Sequence, residues 1–128
     1  MRGVLDTSVF IARESGRPLA DFPADVTELA VSIVTVAELR IGVLLADATQ
    51  LERRLSTYEQ VVSGFEALPV DAAVAERFAA LFASRRRRGR PVRLNDTWIA
   101  ATASAHEACV LTQDRDFDGL GGVDVWRL

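Results

Sequence analysis

Short apolar runs alternating with segments of helical spacing constrain this chain more than any other feature. "RGVLD", "ELAVS", "FEALPV", "ACVLT" and "VDVWRL" each read as a strand. Between the first four lie "TSVFIARE", "TVAELRIGVLLA", "ATQLERRLSTYEQVVSGF", "DAAVAERFAALFASRRRR" and "NDTWIAATASAHE", which read as helices. In the second helix Val36, Leu39, Ile41, Val43 and Leu44 are expected mostly inward. In the third, Leu51, Leu55, Tyr58 and Val62 fall at i, i+4, i+7 and i+11. Pro69 makes the "FEALPV" strand an edge or a strand end, because proline cannot donate to a ladder. Asp71 and Gly89 bracket the fourth helix. Most connections carry a helix, and the strands are apolar throughout. Both facts predict an α/β fold with a mostly parallel sheet covered on its two faces.

A chain of 128 residues, 49% hydrophobic and free of repeats or linkers, is expected to form one domain over 1–128. No apolar run reaches membrane-spanning length, and no secretory leader pattern opens the chain. One cysteine, Cys109, cannot make an internal disulfide. A cytoplasmic location is the expectation, with no membrane partner. Net charge is −3, which by itself argues against nucleic acid. Its distribution is less discouraging. All 15 basic residues are arginine, and six crowd into "RRRRGRPVR": Arg85, Arg86, Arg87, Arg88, Arg90 and Arg93. Arginine forks suit phosphate contacts. They equally suit a solvated helix C-terminus, where cations meet the dipole, or a dock for an acidic partner.

Ligands of open parallel sheets bind beyond the carboxyl ends of the strands. Asp6 ends the first strand, Glu38 lies one turn into the helix after the second, and Asp114 and Asp116 follow the fourth. Asp96 lies in the first turn of the helix that leads into the fourth strand. Each has a local alternative. Asp6 suits a helix cap, and Thr35 to Glu38 spells a capping box. Asp96 suits the dipole, and Asp114 a turn. Together they are harder to dismiss. Two carboxylates about 5 Å apart repel by roughly 3 kcal/mol at an effective dielectric near 20. Such a group needs protons or cations, and hard oxygen donors without predicted His or Cys favour Mg²⁺ or Mn²⁺ over Zn²⁺. An EF-hand reading of "DRDFDG" fails: its twelfth position is Val125, and a strand rather than a helix follows.

"VLDTSVFIA", "SIVTVAELRIG", "LNDTWIAATA" and "VLTQDRDF" together resemble the PIN domain, and more narrowly a VapC-type ribonuclease toxin of bacterial toxin–antitoxin pairs. The resemblance runs from Val4 to Leu128. It implies a three-layer fold with strand order 3-2-1-4-5, which would bring Asp6, Asp96 and Asp114 together. It implies an acidic quartet of Asp6, Glu38, Asp96 and Asp114, with Asp116 as a fifth member. It implies RNA cleavage with Mg²⁺ or Mn²⁺, one or two ions per site, a homodimer, and a VapB-type antitoxin that blocks the site. On this footing Asp6 and Asp96 are expected to hold the main metal, with Asp114 and Asp116 completing the shell. Glu38 is expected to bind a second metal or orient the attacking water.

Thr7 and Thr112 are candidates for holding an acid or a phosphate oxygen, with turn capping as the alternative. Arg85 and Arg86 are candidates for substrate phosphates. Without the five acids, the net charge of −3 becomes +2, so a metal-filled protein need not repel RNA. His106 reads as a helix-end residue, Cys109 as core, and Trp98 and Trp126 as packing or dimer contacts. Ser8 lacks a nucleophile-elbow motif. A receiver domain would need a lysine that is absent, and a haloacid-dehalogenase phosphatase would need D-x-D-x-T where "DTSVF" stands. A PIN-like module that binds RNA or a partner without cutting remains the alternative.

Overall fold

The computed structural model describes residues 1–128. Five parallel strands form one sheet in the order β3-β2-β1-β4-β5. They are β1 (Arg2–Leu5), β2 (Glu28–Ser32), β3 (Glu66–Leu68), β4 (Cys109–Thr112) and β5 (Val125–Arg127). The helices are α1 (Thr7–Glu14), α2 (Ile33–Leu44), α3 (Leu51–Gly64), α4 (Ala72–Arg87) and α5 (Leu94–Ala105). The expected strand order and α/β class are therefore present. β3 is an edge strand that stops just before Pro69.

Alternation along each strand divides the core. Val4, Ala30 and Val110 pack with Val74 and Leu81 of α4 and Ile99 of α5. Leu5, Val31 and Leu111 pack with Val9 and Phe10 of α1, Leu39 of α2 and Val61 of α3. A parallel sheet wrapped on both faces needs apolar residues at consecutive positions, and β4 is buried along its whole length. Trp98 stacks on Phe78 at 3.7 Å between ring centroids, joining α5 to α4. Cys109 is buried core, and His106 caps the C-terminus of α5. No helix is long and apolar enough to cross a membrane.

Three local expectations change. α2 begins at Ile33, two residues early, because the Ser32 side chain accepts from the Val34 amide and acts as the cap. Thr35 is therefore inside the helix and fully buried, so Thr35 and Glu38 form no capping box. Ile41 and Leu44 of α2 face outward, at 53% and 67% exposure, whereas Leu39 and Val43 are buried. In α3 the inward residue is Val61, while Val62 and Leu51 are exposed. Both Val61 and Val62 satisfy helical spacing from Tyr58, and the packing of α3 against α1 and α2 selects one.

Candidate metal centre

Each acid reaches the carboxyl edge by a different local route. Asp6 directly follows β1 and caps α1. Its backbone amide donates to the Leu111 carbonyl, which extends the β1–β4 pairing and sets Asp6 beside Thr112. Asp6 is 3% exposed, and three donors converge on one oxygen, Oδ2: Ser8 Oγ at 2.6 Å, Thr112 Oγ1 at 2.9 Å and the Ser8 amide at 3.3 Å. The two hydroxyls are themselves polarised by amides: Gln113 N donates to Ser8 Oγ at 3.0 Å, and Asp114 N to Thr112 Oγ1 at 2.9 Å. Oδ1 receives none of these three bonds.

Glu38 projects from the second turn of α2. Thr7 Oγ1 donates to its Oε1 at 2.8 Å and lies 3.1 Å from Thr35 Oγ1. Asp96 stands in the first turn of α5, which begins at the carboxyl edge because it runs antiparallel to β4. Asp114 caps the 3₁₀ turn Arg115–Phe117 by accepting from the Asp116 amide at 2.9 Å. Asp116 also pairs with Arg93 at 2.9 Å. The capping readings of Asp6 and Asp114 thus hold, and they do not compete with a site. A cap engages one side of a carboxylate and leaves lone pairs on the other.

Carboxylate oxygens of Asp96, Asp114 and Asp116 all lie within 4.8 Å of one another. Burial and then the charges of Asp6, Asp114, Asp116 and Glu38 push the Asp96 carboxyl from 3.8 up to about 7. Burial raises Asp6 as well, against the opposing effect of its hydroxyl partners. Burial raises Glu38, with the Asp6 charge adding to it. Asp6 and Glu38 are not in that 4.8 Å group, but their charges bear on Asp96 together with those of Asp114 and Asp116. The donor set is oxygen only, which suits a hard divalent cation.

Sequence reasoning missed Ser8, Arg93 and Asn95. Ser8 lacks the motif of a nucleophile, and its hydroxyl instead holds Asp6, a role signalled by the D-x-S spacing of an Asx-type turn. Asn95 lines one cleft with Glu38 and Asp96, where its amide opposes the rise of the Glu38 carboxyl, and Arg93 neutralises part of Asp116. The third carboxylate of "DRDFD", Asp118, pairs with Arg127 at 3.9 Å and belongs to the turn, not to the cluster.

The expected substrate arginines part company. Arg85 spends its guanidinium on three carbonyls: Pro91 at 3.1 Å, and Asp116 and Asp118 at 3.3 Å each. It ties the segment entering α5 to the loop that carries Asp116. Arg86 remains exposed.

The PIN domain family model matches residues 3–123. The chain is 48% identical to ribonuclease VapC5 of Mycobacterium tuberculosis, over 98% of this chain and 95% of that protein. A crystal structure of VapBC-5 from the same organism, a member of the VapBC family of toxin–antitoxin systems, superimposes with a TM-score of 0.86. It is 44% identical, with 99% of this chain and 98% of that chain covered. A DNA-bound VapBC from Salmonella typhimurium superimposes with a TM-score of 0.84 at 26% identity, covering 99% and 98% of the two chains.

Proposed function

From the premise that this chain belongs to the PIN-domain family, among the VapC ribonucleases of VapBC toxin–antitoxin systems, we propose that its five acids form a hydrolytic site for RNA phosphodiester bonds. The observation that carries the proposal is geometric: carboxylate oxygens of Asp96, Asp114 and Asp116 lie within 4.8 Å of one another, and burial, with the charges of the other four acids, raises the Asp96 carboxyl. Asp6, Asp96, Asp114 and Asp116 are the residues that hold Mg²⁺ or Mn²⁺, one or two ions per site. Asp6 offers Oδ1, because its other oxygen already carries three hydrogen bonds. A divalent cation bound there supplies acidified water and draws charge from the phosphate.

The chain's own groups do the rest. Ser8 and Thr112 keep the Asp6 carboxylate in one orientation, and through Thr112 the backbone of Asp114 is tied to the same acid. Thr7 fixes Glu38 through Oε1, and the carboxylate is placed to accept the proton of the attacking water. The raised basicity of Glu38 suits that task. Attack in line on phosphorus displaces the 3′ oxygen. Arg93 holds Asp116 at the edge of the cluster and limits the repulsion that an incoming polyanion meets.

The partners follow from the same premise. A VapB-type antitoxin occupies the toxin and blocks the site, and the chain pairs with a second copy of itself. Ile33, Ile41 and Leu44 line one exposed stripe of α2 and, with Leu45 beyond it, supply apolar surface for such contacts. The whole chain acts as one unit in the cytoplasm.

The test is cleavage of labelled single-stranded RNA by protein free of antitoxin. Cleavage is expected with Mn²⁺, none with chelator, and none for Asp6→Asn or Asp96→Asn. Normal cutting by either variant would overturn the assignment. RNA binding without cleavage by the wild type would favour a non-catalytic module.

A further inference from the structure

The arginine run contains guanidinium groups in two conditions. Those of Arg85, Arg88 and Arg93 are engaged, with backbone carbonyls or with Asp116. Those of Arg86, Arg87 and Arg90 have no hydrogen bond or ion pair, and all three residues are exposed. Arg86 and Arg90, but not Arg87, line a cleft with Phe82, Pro91 and Leu94. The Arg86 guanidinium carbon sits over the Phe82 ring, 5.8 Å from its centroid. Leu94, 57% exposed, is also a wall of the cleft formed by Glu38, Arg93, Asn95 and Asp96. The basic cleft and the acidic one therefore adjoin across a single side chain.

We propose that the cleft between Arg86, Arg90, Phe82 and Leu94 binds the stretch of single-stranded RNA that flanks the scissile phosphate. This rests on the reading of the acidic cluster as a ribonuclease site. That cluster is a poor anchor for a polyanion, so affinity must come from beside it. Two unpaired guanidinium groups supply backbone phosphate contacts. The apolar wall of Phe82, Pro91 and Leu94 supplies a surface for an unstacked base, which a duplex does not present. Leu94 marks the crossing between phosphate chemistry and strand binding.

The test compares wild type with Arg86→Ala, Arg90→Ala and the double variant at saturating Mn²⁺ on a single-stranded RNA. The double variant is expected to raise KM about tenfold while kcat stays within about twofold. It should lower the slope of log KM against log salt by about 1.4, since each single-strand phosphate contact contributes about 0.7. Mn²⁺ affinity by calorimetry and the thermal midpoint should not move. An unchanged KM and salt slope, with wild type still cutting, would overturn the cleft and leave the nuclease standing. The same holds if the double variant loses only affinity for an acidic antitoxin segment. Should wild type cut no RNA, fluorescence anisotropy with the same RNA still decides: weaker binding by the double variant supports the cleft, and equal binding refutes it.

Discussion

Replacing Asp96 with asparagine removes the acid on which four others bear, and the consequence for stability can be worked from its titration. The folded carboxyl is pushed from 3.8 up to about 7. Between those values the folded state keeps a proton that the unfolded chain releases. Stability is therefore lost as pH climbs from about 4 to about 7, and the loss is complete above that range. At about 1.4 kcal/mol per pH unit the ceiling is about 4 kcal/mol. Asp96 is half-buried, so solvent screening reduces this to about 1–2 kcal/mol. Metal-free Asp96→Asn is thus expected to be about 1–2 kcal/mol more stable than wild type at pH 8 and equal to it near pH 4. Urea unfolding in chelator at several pH values measures this, with the difference between the two proteins isolating Asp96 from Asp6 and Glu38. Mn²⁺ should reverse the order. At a hundredfold excess over its dissociation constant it stabilises wild type by about 2.7 kcal/mol, and the variant far less. A variant less stable than wild type at pH 8 in chelator, or a difference that does not change with pH, would refute the electrostatic account of the cluster.

Thr112→Val removes a buried hydroxyl that donates to Asp6 and accepts from the Asp114 amide; it should destabilise by about 1–3 kcal/mol in urea unfolding and weaken Mn²⁺ binding by calorimetry. Arg85→Ala frees the three carbonyls that join the Pro91 and Asp116 segments; Mn²⁺ affinity should fall several-fold, and Arg85→Lys should not restore it, since one ammonium lacks the fork that spans them. Gly3→Ala would put a methyl 2.7 Å from Leu111 Cδ1 and 3.1 Å from Val26 Cγ1; a loss of about 1–3 kcal/mol is expected, and unchanged unfolding would show that the β1–β4 layer is looser than its packing indicates.

Much of the architecture was legible because strand and helix signals are local. α1 and β2 match their expected bounds residue for residue, and Asp71 caps α4 where its position before the helix implied. The α3 stripe was misjudged by one residue, because helical spacing admits both i+3 and i+4 and only a neighbouring helix distinguishes them. The cap of α2 was misplaced for a related reason: Ser32 and Thr35 are both capable of capping, and strand β2 ends at the first.

By itself the sequence determined the alternation of strands and helices, the order of the acids along it and their places at strand ends, since each depends on neighbours a few residues away. Only the tertiary structure decided which oxygen of Asp6 is occupied, that Ser8 and Thr112 meet across 104 residues, and that Arg85 braces a loop while Arg86 stays free. Those outcomes depend on distances between segments remote in the chain, and a carboxyl's affinity for its proton is set by whatever charges and burial such packing brings to it.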